Sequence, residues 1–351
     1  MGVFLQTSIM SDPVAQTALS MTVERESQWA RKSSTAVQCQ AMFSKLGETC
    51  FLPTRENSYN FEASRRLELP KWKKAARDLI KEQYLARAEE QTRRLEVQGE
   101  FARLLEEEEA DVSWKSTIFS VPKGVMEFSL RAATNSLCTP DNLSRWGKLI
   151  DPRCALCHKA GCTLGHILSS CHVARDQERY TLRHDSVLLH LFTTLNKKKT
   201  ATLDMYADLE GYKVNGNTIP MDILVTDKVR PDLVLVDRSS SPNSVTIVEL
   251  TIPWDGSVEK ARDRKELRYT WLQTDIKRRG FPCNLLPLEI GARGLVTSRN
   301  KGTITHLCQL VGERKISKLI SNMSKLALLG SYAVWCARKS EEWTSGRLLK
   351  P

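Results

Sequence analysis

No stretch of about 18 consecutive apolar residues occurs in the chain, so a membrane-spanning helix is not expected. The opening MGVFLQTSIM has neither the basic start nor the apolar core of a secretory leader. Gly2 is followed at position 6 by Gln6, not Ser or Thr, which fails the pattern for N-terminal acylation. Aromatic residues make up only 7% and there are only six histidines. A hydrophobic share of 41% and a charged share of 26% are those of an ordinary globular protein, and 351 residues leave room for two or three small domains. The reading at this level is a protein of the nucleus or cytoplasm, neither secreted nor held in a membrane.

What is present is unevenly placed. The formal net charge is +11, and residues 259–351, with 19 Lys/Arg and 8 Asp/Glu, carry all of it. A basic surface of that kind favours a polyanionic partner, DNA or RNA, although a solvated lysine-rich helix face has the same composition. Four of the ten cysteines (Cys154, Cys157, Cys162 and Cys171) fall in CALCHKAGCTLGHILSSC, and five of the histidines lie between His158 and His190. Without a leader peptide, that spacing points to a metal site in a reducing compartment, not to disulfides.

The ligand set proposed from spacing is Cys154, Cys157, His166 and Cys171, a C-x2-C-x8-H-x4-C pattern. Two cysteines separated by two residues flank a tight turn, and the histidine and last cysteine close a tetrahedron from the next turn. Zinc suits three sulfurs and one nitrogen, and four protein ligands make the site structural. His158, Cys162 and His172 are spare candidates.

Along the chain, residues 1–68 read as largely irregular. Residues 69–113 read as one long charged helix, kinked at Gly99, and residues 114–150 as a small helical linker in which TPDNLSRW starts a capped second helix. Residues 151–175 form the zinc knuckle. Residues 176–351 alternate helices and strands, so a mixed α/β domain is expected there. Its strands are expected weakly near 201–213, more strongly at 221–227, and most strongly at 233–236 and 245–252; a basic helix follows over 257–279.

In RPDLVLVDRSSSPNSVTIVELTIPWD, Asp232 heads one apolar strand and Glu249 sits inside the next. A carboxylate in an apolar strand costs several kcal/mol unless it is paired. Facing side chains of an antiparallel pair lie about 5 Å apart, so two acids there call for a cation between them. Mg²⁺ held by both would activate a water for attack on a phosphodiester. The following helix offers a lysine, Lys260 or, better placed, Lys265. An ion pair of Glu249 with Arg268 is the plainer alternative.

The order of these features resembles the restriction-like nucleases of the PD-(D/E)xK superfamily. More closely, it resembles the tail of the polyprotein of non-LTR retrotransposons that carry such an endonuclease. The motifs are LRAATNSLCTPDNLSRW, the CCHC knuckle, Arg179, Tyr180, Arg183, His184 and Asp185 as R-Y-x-x-R-H-D, the Pro231–Asp232 pair with its distant acid, Lys265, Arg268 and Tyr269 as K-x-x-R-Y, and PLEIGARG. The resemblance implies a restriction-endonuclease-like mixed sheet flanked by helices, preceded by the small knuckle and the helical N-terminal region. It further implies an enzyme that nicks DNA, with Asp232 and Glu249 as Mg²⁺ ligands, Lys265 as catalytic lysine, Asp185 as a further acid, and Arg179, Arg183, His184, Arg268 and Tyr269 against nucleic acid. Thr251 stands where simpler members place the lysine, so a displaced lysine is required.

No adjacent Asp-Asp pair occurs, so the polymerase signature usual in such polyproteins is missing. The expectation is therefore a truncated or domesticated element, with any reverse transcriptase acting in trans. The alternative function is a non-catalytic nucleic-acid-binding protein that uses the knuckle and the basic C-terminal region.

Overall fold

A computed structural model describes residues 69–112, 121–209, 230–344 and 349. The chain divides into units 1–94 and 95–351. In the first, helix α1 spans Leu69–Arg94, and its described side chains are mostly exposed, as its charge-rich sequence requires. The single helix expected over 69–113 does not persist. It breaks at 95–99, and α2 begins afresh at Glu100–Glu107. Val97 and Gly99 are weak helix formers, and Arg103 rewards the break by donating to the carbonyls of Leu95 (2.9 Å) and Glu96 (2.7 Å).

The second unit continues with the short strand β1 (Asp111–Val112), then α3 (Lys123–Ala133) and α4 (Pro140–Arg145). Thr139 caps α4 by accepting from the Asn142 N–H at 3.1 Å, with Pro140 preset for the first helical turn. The cysteine-rich segment follows and ends in a π-helical turn, His166–Ser170, and the short helix α5, His172–Asp176.

The α/β part runs α6 (Arg179–Asn196), β2 (Leu203–Ala207), β3 (Leu233–Asp237), β4 (Ser244–Thr251), α7 (Val258–Arg278) and β5 (Cys283–Glu289). Strand β6 (Leu295–Val296), α8 (Ser298–Val311) and α9 (Ile316–Cys336) complete it. The four-stranded sheet has order β2-β3-β4-β5, antiparallel except for the parallel β4–β5 pair that α7 connects. Of the expected strands, the one at 221–227 lies outside the described residues.

Strand alternation assigns each side chain its layer. Leu233, Leu235, Val248 and Leu250 pack into the core that holds Leu191, Ile304 and Met323 of α6, α8 and α9. Val234, Val236, Val245 and Ile247 face Tyr269, Leu272 and Ile276 of α7. Glu249 shares the parity of Val245 and Ile247, so it too points to the α7 side. A third cluster joins Phe101, Phe128, Cys154, Leu164 and Cys171 to Val258, Leu295 and Trp335, and β1 pairs with β6. The cysteine-rich segment therefore shares a core with the α/β part.

Candidate functional site

Two constellations stand out, a sulfur-rich cluster and a pair of carboxylates. In the first, the candidate ligand atoms of Cys154, Cys157, His166 and Cys171 all lie within 4.8 Å of one another. Cys154 Sγ is 4.0 Å from Cys171 Sγ, and Cys157 Sγ is 3.3 Å from His166 Nε2. A tetrahedral zinc with sulfur ligands near 2.3 Å sets such edges at about 3.8 Å, so the four atoms already outline the polyhedron. Burial pushes the Cys171 thiol up to about 11. Burial pushes Cys154 the same way, but hydrogen bonds from the backbone of Cys157 and Leu156 bring it below the usual thiol value. Of the spare candidates, Cys162 is buried beside the cluster but outside the mutual set, and His158 is exposed.

In the second, the β3–β4 register pairs Leu233 with Val248, and one further step sets Asp232 opposite Glu249. The Asp232 N–H donates to Glu249 Oε1 (3.2 Å), and the Leu250 N–H donates to Asp232 Oδ2 (2.8 Å). From α7, Lys265 Nζ lies 2.7 Å from Glu249 Oε2 and 3.7 Å from Asp232 Oδ2. From α6, His184 Nε2 lies 3.4 Å from Asp232 Oδ1, while its Nδ1 is 2.9 Å from Asp185 Oδ1. Burial and the Asp232 charge push the wholly buried Glu249 up to about 7, with Lys265 opposing. Burial also raises Asp232, yet the His184 hydrogen bond and charge and the Lys265 charge hold it below the ordinary carboxylate value. Burial disfavours charge on His184, but its bonds to Asp185 and Asp232 raise it to about 10.

Residues 95–177 match the family model described as zinc-binding in reverse transcriptase. The match covers every one of the four cluster residues, and family and geometry agree on zinc as the metal. A comparison with curated proteins finds no match. Among the described residues, no helix is long and apolar enough to cross a membrane.

The R-Y-x-x-R-H-D element holds the zinc-binding segment to the carboxylates. The Tyr180 hydroxyl accepts from the Cys171 N–H (3.1 Å) and donates to the Ile167 carbonyl (3.0 Å), which fixes the π-turn between His166 and Cys171. In the sequence Tyr180 is only one letter of a motif, and nothing there marks it as the support of that turn. Arg179 is fully buried and donates to Gln177 Oε1 and to the carbonyls of Ala337 and Ser340, so its expected contact with nucleic acid is corrected to an internal tie. Arg183, also buried, donates through its two terminal nitrogens to Ser331 Oγ and the Ile252 carbonyl.

Further sequence expectations are revised by the packing. His184 is committed to the two aspartates and is not a free contact for nucleic acid. Asp185 acts on Asp232 through His184. Tyr269 is buried, its hydroxyl donating to the Arg230 carbonyl (3.3 Å), with Lys265 and Arg268 over its ring, so it is engaged inside the protein. Arg268 is exposed, and the partner of Glu249 is Lys265 rather than Arg268. Lys260 is exposed one turn earlier on α7 and makes no ion pair with either acid, so it is not the lysine of this constellation.

Proposed function

We propose that the α/β part is a restriction-like DNA endonuclease of the PD-(D/E)xK type, derived from a non-LTR retrotransposon. In this reading, the zinc-binding segment is a structural module beside it. The observation that carries the proposal is the convergence of Asp232, Glu249 and Lys265 from two strands and a helix on the same side of the sheet. The order α6-β2-β3-β4-α7-β5, with one parallel pair beyond an antiparallel meander, supports it.

The donor set fits Mg²⁺. Glu249 Oε2 and Asp232 Oδ2 both face the Lys265 ammonium, so positive charge is already favoured between them. When bound by these carboxylates, Mg²⁺ supplies an acidified water and offsets charge growing on a phosphate. The residues of the chain do the rest. His184 and the Leu250 N–H keep Asp232 ionised and oriented. Lys265 is placed to donate to a phosphate oxygen. Thr251 leaves the strand position open, and the lysine arrives from α7. DNA is the proposed partner, with RNA a further candidate, the nucleus the proposed site of action and a reverse transcriptase acting in trans.

The test is nicking of supercoiled plasmid by the full chain with Mg²⁺, against Asp232→Asn and Glu249→Gln. Nicking that disappears in both variants is the expected result. A wild type that binds DNA without nicking it would leave the protein a nucleic-acid binder only.

A further inference from the structure

A cleft of about 840 Å³ opens beside the carboxylates, between the π-turn that joins His166 to Cys171 and the first turns of α7. Arg183, Lys260, Arg264 and Lys265 line it, together with His184, against one carboxylate, Asp263. Its wall also holds Ser169 and Thr251. Three buried polar atoms of this lining, Ser169 Oγ, Arg183 Nε and Thr251 Oγ1, have no hydrogen-bond partner.

Arg183 is the telling residue. Of the other three buried arginines, Arg262 sits on Glu289 and Arg293 on Asp255, both at 2.8 Å, while Arg179 engages all its nitrogens with Gln177 Oε1 and the carbonyls of Ala337 and Ser340. Among the described residues no carboxylate forms an ion pair with Arg183, which is 2% exposed. Burying an uncompensated charge and two orphaned hydroxyls is costly, and an anion that brings acceptors offsets all three.

We infer that this cleft is a phosphate-binding subsite for one strand of DNA, with a phosphodiester held by Arg183, Thr251 and Ser169 and the flanking phosphates by Lys260 and Arg264. His184 and Leu250, which touch Asp232, line the same cleft. A strand seated here passes between the zinc-bearing turn and α7 and leads to the carboxylates. The inference deepens the endonuclease reading and relies on it for the identity of the strand, while the subsite itself needs no magnesium.

The experiment uses the zinc-loaded full chain without added magnesium. Two probes are compared, a fluorescein-labelled hexathymidylate and inorganic phosphate, and Thr251→Val and Arg264→Ala are set against wild type. Thr251→Val keeps the side-chain shape and removes an orphaned hydroxyl. It should therefore raise the unliganded melting temperature while weakening oligonucleotide binding about tenfold, since a hydrogen bond to a charged group is lost. Arg264→Ala should lower the slope of log affinity against log salt by about one. Oligonucleotide binding unchanged in Thr251→Val overturns the subsite. A thermal shift with inorganic phosphate and no binding of hexathymidylate overturns the strand in favour of a free anion. Asp232→Asn that binds hexathymidylate like wild type here, yet does not nick plasmid once Mg²⁺ is added, supports the subsite. Wild type that binds hexathymidylate with these variant effects yet never nicks plasmid sinks the nuclease reading and leaves the subsite standing.

Discussion

Lys265 donates to Glu249 across 2.7 Å, from a helix to a strand sixteen residues earlier. This bond accounts for a carboxylate that is wholly buried in an otherwise apolar strand. Removing one partner of such a pair strands the other. Lys265→Met should lower stability by about 3 kcal/mol, Glu249→Gln by less, and the double variant should recover part of the loss. Urea unfolding of the three proteins checks this, and additive losses would show that the pair is not coupled.

Zinc should be worth a large share of the stability of residues 95–351, because its ligands Cys154 and Cys171 lie in a core with Phe101, Phe128 and Trp335. At free zinc about 1,000-fold above Kd the folded state gains about 4 kcal/mol, so chelation should lower the melting temperature markedly. Metal analysis should find one zinc per chain in wild type and in Cys162→Ser, and little in Cys154→Ser. Loss of zinc in Cys162→Ser would rewrite the ligand set.

Arg293 is nearly inaccessible. Its guanidinium lies 4.0 Å from the Trp254 ring centroid and 4.2 Å from that of Phe101, with its Nε 2.8 Å from Asp255. It clamps α2 against the turn before β6. Arg293→Met leaves Asp255 buried without its cation and should cost about 3–5 kcal/mol. Arg238→Met, which breaks an exposed pair with Asp204, should cost under about 1 kcal/mol. Chemical denaturation that ranks the two variants in the opposite order would refute the clamp.

Gly330 lets α9 press on α6. A Cβ there would lie 2.6 Å from Arg183 Cβ and Cγ and 2.9 Å from its Cα. Because backbone is among the obstacles, Gly330→Ala should destabilise by about 2 kcal/mol or more and, by shifting α6, displace His184 from Asp232. Under the endonuclease reading, nicking by the folded fraction should fall as well. A variant as stable as wild type would mean that the helices separate without cost.

Several features were legible because they depend on local order. The Cys/His spacing named the four cluster residues, since short separations restrict how ligands can meet. The strands over 233–237 and 244–251 followed from β-branched runs, and helix α7 from its charge-rich, proline-free sequence. The long helix failed at Gly99 because the reward for breaking it, the reach of Arg103 to two carbonyls, is a contact and not a propensity. The motif resemblance sets Arg179 and Tyr269 against nucleic acid, but a motif carries no burial, and both are enclosed with internal partners.

By itself the sequence determined which residues had to meet locally, the three thiols and one imidazole, and which strands carried acids. Only the tertiary structure decided that Asp232 and Glu249 face α7, that Lys265 and not Lys260 reaches them, and that His184 bridges two aspartates. The reason is geometric. Strand parity and helix phase assign each side chain to a layer, but the register and the docking of one element on another select its partner, and those arise from packing across the whole core.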